Sequence, residues 1–242
     1  MNTAASGKHR SWLIVPASRP DDVERAAASG ADVVVLDFVE FVAAKDKAAA
    51  RTQVGALIDR LLARGVQVFV QTEPDAMDED VAACSRSGLA GIVLARAESA
   101  EQVRELSAAI ERQERAGLLP RNATAIVAAL ETARGNHLAY DIACASERVW
   151  GITLGRADLV MDLRPEPSGE FHLMPYLMQR LVIVAGAAGK VPLGAWWRAP
   201  DRGLLATEEN TYSAAVRGRA IGFRGAMCLR PAQVDALNRA YA

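Results

Sequence analysis

Ile126-Val127-Ala128-Ala129-Leu130-Glu131-Thr132-Ala133-Arg134-Gly135 is an apolar run that ends in an acid. One unit later, Val149-Trp150-Gly151-Ile152-Thr153-Leu154-Gly155-Arg156-Ala157-Asp158-Leu159 repeats the arrangement. Each reads as a buried strand whose exit carries a carboxylate. A strand covered on both faces has no use for a charge except at its end, where water or a cation solvates it. Two hard oxygen ligands at neighbouring strand ends suit Mg²⁺, which keeps several waters and takes one or two carboxylates. A competing reading makes Glu131 the cap of the next helix and Asp158 a surface acid, because acids favour helix N-termini.

The alternation continues on either side. Apolar, strand-like runs fall at residues 11–17, 31–38, 67–72, 91–95, 125–131, 149–155, 191–196 and 225–229. Helical patterns fall at 19–29, 47–65, 77–88, 99–117, 137–145, 174–189 and 207–222, and a last one starts at Pro231. Local signals agree with this division. Pro20 stands in a first turn with Asp21 and Asp22, and Ser99 with Gln102 has capping-box spacing. Eight strand–helix units argue for parallel strands joined by right-handed crossovers. In 242 residues they predict a (β/α)₈ TIM barrel, one domain over 1–242 with no linker or second core. No Gly-x-Gly-x-x-Gly follows the first strand, which weakens the dinucleotide-binding alternative.

Composition agrees with a barrel. Apolar residues make up 51% and aromatics 5%, an aliphatic core of the kind that parallel sheets use. A net charge of −1 implies no nucleic-acid partner. Cys84, Cys144 and Cys228 show no metal or redox spacing and read as buried thiols in a reducing compartment. Residues 1–10 carry no apolar signal core, and no run approaches the ~20 apolar residues of a membrane span. A soluble, cytoplasmic protein is expected.

A barrel gathers its active site at the C-terminal strand ends. The acids there are Asp37 and Glu40 after the second strand, Glu73 and Asp75 after the third, and Glu98 after the fourth. Glu131 follows the fifth, and Asp158 and Asp162 follow the sixth. All are expected to face one mouth, which strengthens the metal reading.

With these residues in view, the sequence resembles the citrate lyase β-subunit-like branch of the HpcH/HpaI aldolase superfamily. The resemblance spans 12–238 and rests on motifs in order. They are Leu13-Ile14-Val15-Pro16 with Arg19-Pro20, Gly30-Ala31-Asp32 running to Leu36-Asp37, Lys47 with Ala50-Arg51, and Gly91-Ile92-Val93-Leu94. Leu130-Glu131-Thr132-Ala133-Arg134-Gly135, Gly155 with Asp158-Leu159, and Gly222-Phe223 leading to Pro231-Ala232-Gln233-Val234 complete them. The resemblance implies a Mg²⁺-dependent carbon–carbon lyase on a TIM-like barrel, a trimer or hexamer. Its substrates would be hydroxy acids or their CoA or acyl-carrier thioesters, of citryl, malyl or citramalyl type. Glu131 and Asp158 match the family's metal carboxylates.

The chain departs from the family pattern mainly on the substrate side. Where the second strand usually ends Leu-Asp-Leu-Glu-Asp, this one reads Leu36-Asp37-Phe38-Val39-Glu40, so Val39 replaces an acid and Glu40 keeps one. Gln71 replaces an Arg that clamps the substrate carboxylate, and an amide cannot form that bidentate fork. Arg96 stands for a Lys, Leu193 for an acid, and Ala226 and Arg230 for a Lys and a His. The family's usual C-terminal helical segment is not expected after Ala242. Two classes of function remain. The first is a lyase with Glu131 and Asp158 on the metal and Asp37, Glu40 and Arg156 as catalytic residues. Gln71, Arg96, Ser18 and Arg19 would then bind the substrate. The second is a family member without lyase activity, acting as a binding or regulatory subunit. Ser18 also reads as a helix cap, Lys47 and Arg51 as a face paired with acids, and Trp196-Trp197 as an apolar wall or an oligomer contact.

Overall fold

The computed structural model describes residues 8–165, 167–194 and 207–242, without the side chains of 156, 157, 167, 168 and 170–172. Trp196, Trp197 and the side chain of Arg156 therefore lie outside the described residues. The strands are β1 (Ser11–Pro16), β2 (Val33–Asp37), β3 (Gln67–Thr72), β4 (Gly91–Leu94), β5 (Ala125–Leu130), β6 (Val149–Leu154), β7 (Val191–Leu193) and β8 (Ala226–Cys228). They form one sheet in the order β7-β6-β5-β4-β3-β2-β1-β8, with parallel neighbours throughout. Gly194 joins its two edges. It forms a parallel bridge to Ala226, donates to the Gly225 carbonyl at 2.8 Å and accepts from the Met227 N–H at 2.7 Å. The expected (β/α)₈ barrel is the observed one.

Helices cover the outside, beginning with α1 (Pro20–Ala27), α2 (Lys47–Ala63), α3 (Met77–Cys84) and α4 (Ala100–Arg115). Arg19 is the N-cap of α1 and no side chain bonds there, so Ser18 is not the cap. Ser99 caps α4 by accepting from Gln102 N–H at 3.3 Å. The Gln102 side chain accepts from the Glu98 N–H at 2.8 Å, one residue beyond the Ser99 N–H that a reciprocal box would use.

Between β5 and β7 the structure departs from the sequence reading. One helix was expected over 137–145, but two short ones form, α5 (Ala133–His137) and α6 (Ala139–Cys144). Thr132 starts α5 by accepting from Gly135 N–H at 3.1 Å. An unanticipated α7 (Arg156–Leu163) follows β6, and α8 (Pro167–Ala188) begins earlier than the 174 start expected. Prolines at 165 and 167 flank the break between them, where a helix cannot run on. α9 (Glu208–Ile221) ends on Gly222 at φ 118°, and α10 (Val234–Ala240) closes the chain's described part.

Two cores result. The larger lies between the sheet and its helices. The smaller fills the barrel and is built from alternate residues, among them Trp12, Val33, Val35, Phe69, Val93, Val127, Ala129, Leu193 and Met227. Period-two alternation sends these residues inward and their neighbours outward. Trp12 is fully buried, with its ring centroid 4.6 Å from Phe69 and 5.6 Å from Trp150. This aromatic packing fills the N-terminal end of the barrel, leaving its other end for chemistry. Trp12→Ala is expected to lower unfolding stability by about 3–5 kcal/mol, read as a shifted urea midpoint at constant slope.

Candidate metal and substrate site

The inward rows continue to the C-terminal mouth and change from apolar to polar. Val33 and Val35 lead to Asp37, Phe69 leads to Gln71, and Ala129 leads to Glu131. Register sets Asp37 beside Gln71 and Leu130 beside Leu154, so Glu131 meets Gly155 across the β5–β6 edge. A Cβ on Gly155 would lie 2.3 Å from Glu131 Cγ. Glycine is required there so that the Glu131 side chain can lie against the backbone.

Glu131 is buried, and its Oε2 accepts the Arg96 N–H at 2.8 Å. Arg96 has φ 48°, a left-handed conformation uncommon outside glycine, at the turn after β4. Thr132, not Glu131, caps the helix that follows β5. Asp158 lies in the first turn of α7 and is partly buried, so both proposed metal acids are at the mouth. Glu40, exposed as a residue, reaches inward to join them. One carboxylate oxygen from each of Glu40, Glu131 and Asp158 lies within 4.8 Å of the others.

Asp37 is fully buried and serves the loop that carries Glu40. Its two oxygens accept the N–H groups of Val39 at 2.9 Å and Phe41 at 2.7 Å. Burial nevertheless raises its pKa. Burial also pushes Glu131 from 4.5 to about 8, against the Arg96 N–H and with the charges of Asp158 and Glu40 adding to the rise. Glu40 is raised to about 7 by loss of solvent, then by the charges of Asp158 and Asp37. Three carboxylates so close repel one another in the ionised state, and a bound cation reverses that balance.

The remaining candidates are spread around the mouth. Gln71 is nearly buried on the inward face of β3, and its amide has no hydrogen-bond partner among the described residues. Arg96 is half exposed and donates through Nη2 to Glu73 at 2.6 Å. Arg19, also exposed, borders a cleft of about 520 Å³ with Ile14, Pro16, Glu40, Phe41 and Leu229, beside the partly buried Ser18. Several acids expected at the mouth are used elsewhere or stand apart. Asp162 accepts the Ala133 N–H at 2.7 Å, and Asp75 is exposed beside a separate groove. Lys47 and Arg51 are paired with acids as expected, Lys47 with Glu73 and Arg51 with Glu79 and Asp80. Leu193 and Ala226 are buried wall residues, whereas Arg230 is exposed. The meeting of Glu40 with the other two acids had no signal in spacing, because the β2 loop's path is set by Asp37 and its amide partners.

Fold and site together define a (β/α)₈ barrel with a candidate divalent-cation centre at its mouth. The chain belongs to the HpcH/HpaI aldolase/citrate lyase family, whose model matches residues 10–231. It is 29% identical over 238 residues to the citrate lyase subunit beta of Escherichia coli strain K12, covering 96% of this chain and 76% of that protein. The citrate lyase beta subunit of Mycobacterium tuberculosis complexed with oxaloacetate and magnesium shares 27% identity and a TM-score of 0.75, covering 99% of both chains. The M. tuberculosis protein CitE in complex with magnesium, acetoacetate and coenzyme A shares 28% identity and a TM-score of 0.71, covering 98% of this chain and 81% of that one.

Glu131 keeps its proton to higher pH in the folded protein than in the unfolded one. The folded state then binds more protons, and stability falls as pH rises from 4.5 towards about 8. In metal-free solution, Glu131→Gln is therefore expected to be more stable than wild type at pH 8. That advantage should shrink as pH falls towards 4.5, measured by denaturant unfolding across pH.

Proposed function

We propose that the protein is a Mg²⁺-dependent carbon–carbon lyase acting on a hydroxy acid or its CoA or acyl-carrier thioester. Citryl, malyl and citramalyl groups are the substrate types. The observation that carries this reading is the convergence of Glu40, Glu131 and Asp158 at the mouth of a barrel of this family. Their oxygens are hard donors, and the open side of the mouth leaves room for substrate oxygens, as Mg²⁺ requires. Related structures with magnesium and oxaloacetate, or with magnesium, acetoacetate and coenzyme A, support both the ion and the substrate class.

Glu131 and Asp158 would hold the ion from adjacent units, and Glu40 would complete its shell from the β2 loop. When bound, the ion supplies a Lewis acid for the carbonyl and enolate oxygens of aldol-type or Claisen-type cleavage. The chain's own residues prepare that site. Arg96 N–H orients Glu131, Gly155 leaves space for it, and Asp37 holds the loop that presents Glu40. Gln71 and Arg96 would bind the substrate's carboxylate, and Arg19 and Ser18 would bind its more distant part. Arg156 remains a proposed catalytic residue through its place two positions before Asp158. The packed barrel interior keeps water from the reacting atoms on one side, which strengthens every electrostatic contact there. Copies would assemble as a homo-oligomer, a reading supported by Tyr176 and Ile183, two turns apart on α8 and exposed to solvent.

The test is calorimetric titration of Mg²⁺ and Mn²⁺ into metal-free protein, with and without oxaloacetate or pyruvate. Wild type should bind metal, and the keto acid should tighten it. Glu131→Ala and Asp158→Ala should abolish binding. Gly155→Ala, which crowds Glu131 without removing a ligand, should weaken metal binding by about 10–100-fold. Wild type that binds neither metal nor keto acid would exclude the lyase and leave the binding-subunit reading.

A further inference from the structure

Position 71 carries an uncharged amide, so a substrate carboxylate needs a cation from elsewhere on the mouth. Among the described residues, Arg96 is tied to the cluster through its main chain, whose N–H bonds Glu131 Oε2 at 2.8 Å. A long, half-exposed Arg side chain is a poor clamp unless something restrains it, because fixing its rotamers costs entropy on binding. Glu73 supplies a restraint. It follows β3 two residues after Gln71, with a side chain only 17% exposed. Its Oε1 accepts from Lys47 Nζ at 2.5 Å and its Oε2 from Arg96 Nη2 at 2.6 Å.

We infer that Glu73 is a positioning residue that fixes the Arg96 guanidinium at the mouth as the clamp for the carboxylate of a 2-keto or 2-hydroxy acid. The inference rests on the reading of the site given above and deepens it. Both oxygens of Glu73 are engaged, and the two cations beside it hold its carboxyl below the usual range, so it stays ionised. Arg96 spends one nitrogen on Glu73. Its other guanidinium N–H groups have no partner among the described residues, which leaves one edge of the planar fork for a ligand carboxylate. Arg96 is thus held at both ends, its main chain by Glu131 after β5 and its tip by Glu73 after β3. Its charge also counters the rise in the pKa of Glu40 and Glu131, so the guanidinium lies within electrostatic reach of the carboxylate cluster. Lys47 and Arg96 against Glu73 leave one net positive charge in this group of three, next to the turn whose N–H holds Glu131. A substrate with a carboxylate at one end and metal-binding oxygens next to it suits that neighbouring pair of opposite charges.

The experiment is calorimetric titration of oxaloacetate into the Mg²⁺-saturated full chain, alongside Mg²⁺ alone into metal-free protein. Variants are Glu73→Gln, Glu73→Asp, Arg96→Ala and the Glu73→Gln/Arg96→Ala double. Glu73→Gln should weaken oxaloacetate binding by about 3–10-fold while leaving Mg²⁺ affinity unchanged, since a freed Arg side chain must be ordered again on binding. Glu73→Asp keeps the charge but shortens the reach, and should fall between wild type and Glu73→Gln. Arg96→Ala should weaken binding further, and the double variant should match it, because Glu73 acts only through Arg96. The inference is overturned if Glu73→Gln binds oxaloacetate as tightly as wild type or more tightly, which would make Glu73 a competitor of the substrate. It is also overturned if the two substitutions add. Failure of wild type to bind Mg²⁺ or oxaloacetate is a different result, and it removes the lyase reading together with this one.

Discussion

The structure depends on a carboxylate that is kept out of water. Glu131 ends a fully apolar strand, and one backbone N–H is the hydrogen bond that receives it. Solvation lost by an ionised group must be replaced by fixed dipoles, by a counter-charge or by a proton. Here the protein provides one dipole, from a residue in a left-handed turn, and then adds two more acids, which the charge of Arg96 offsets only in part. The turn at Arg96, the missing side chain at Gly155 and the tight loop around Asp37 all serve this arrangement. An arrangement that is unfavourable by itself becomes favourable once a divalent ion is present.

Much of this was legible in the sequence. Parallel strands buried on both faces are continuous apolar runs, so all eight could be placed from composition alone. Glu131 and Asp158 stood out because an acid directly after such a run has few structural uses. Ser99 was recognisable as a cap because capping chemistry is local, although the Gln102 side chain reached one residue further than the pattern suggests. The helices between β5 and β7 were harder. Thr132 caps α5, which begins four residues before the periodic pattern becomes visible, and α7 starts directly after Gly155 with no side-chain cap to announce it.

The roles of individual acids were less legible because each depends on where a loop turns. Asp37 and Glu40 are three apart in sequence, yet one holds loop amides and the other joins the metal-ligating set. Asp158 and Asp162 are one helical turn apart, yet the second is turned towards the start of α5. Glu73 looked like another mouth acid, but Lys47 and Arg96 reach it from two different units. Such partners are 26 and 23 residues away, beyond any local pattern.

The joint at Gly194 has a consequence for how the barrel moves. Most strand boundaries are ladders of several residues, whereas among the described residues β7 and β8, three residues each, are joined by a single bridge with its flanking backbone hydrogen bonds. Opening there separates fewer ladder pairs than at any other strand boundary among the described residues, although it uncovers the buried Leu193, Ala226 and Met227. The carboxylates hang from β2, β5 and the β6 exit, so Glu40 and Glu131 stand away from the joint while Asp158 follows the strand that borders β7. A cylinder that parts along this one line, as a cuff does, leaves two of the three acids in place and moves the third.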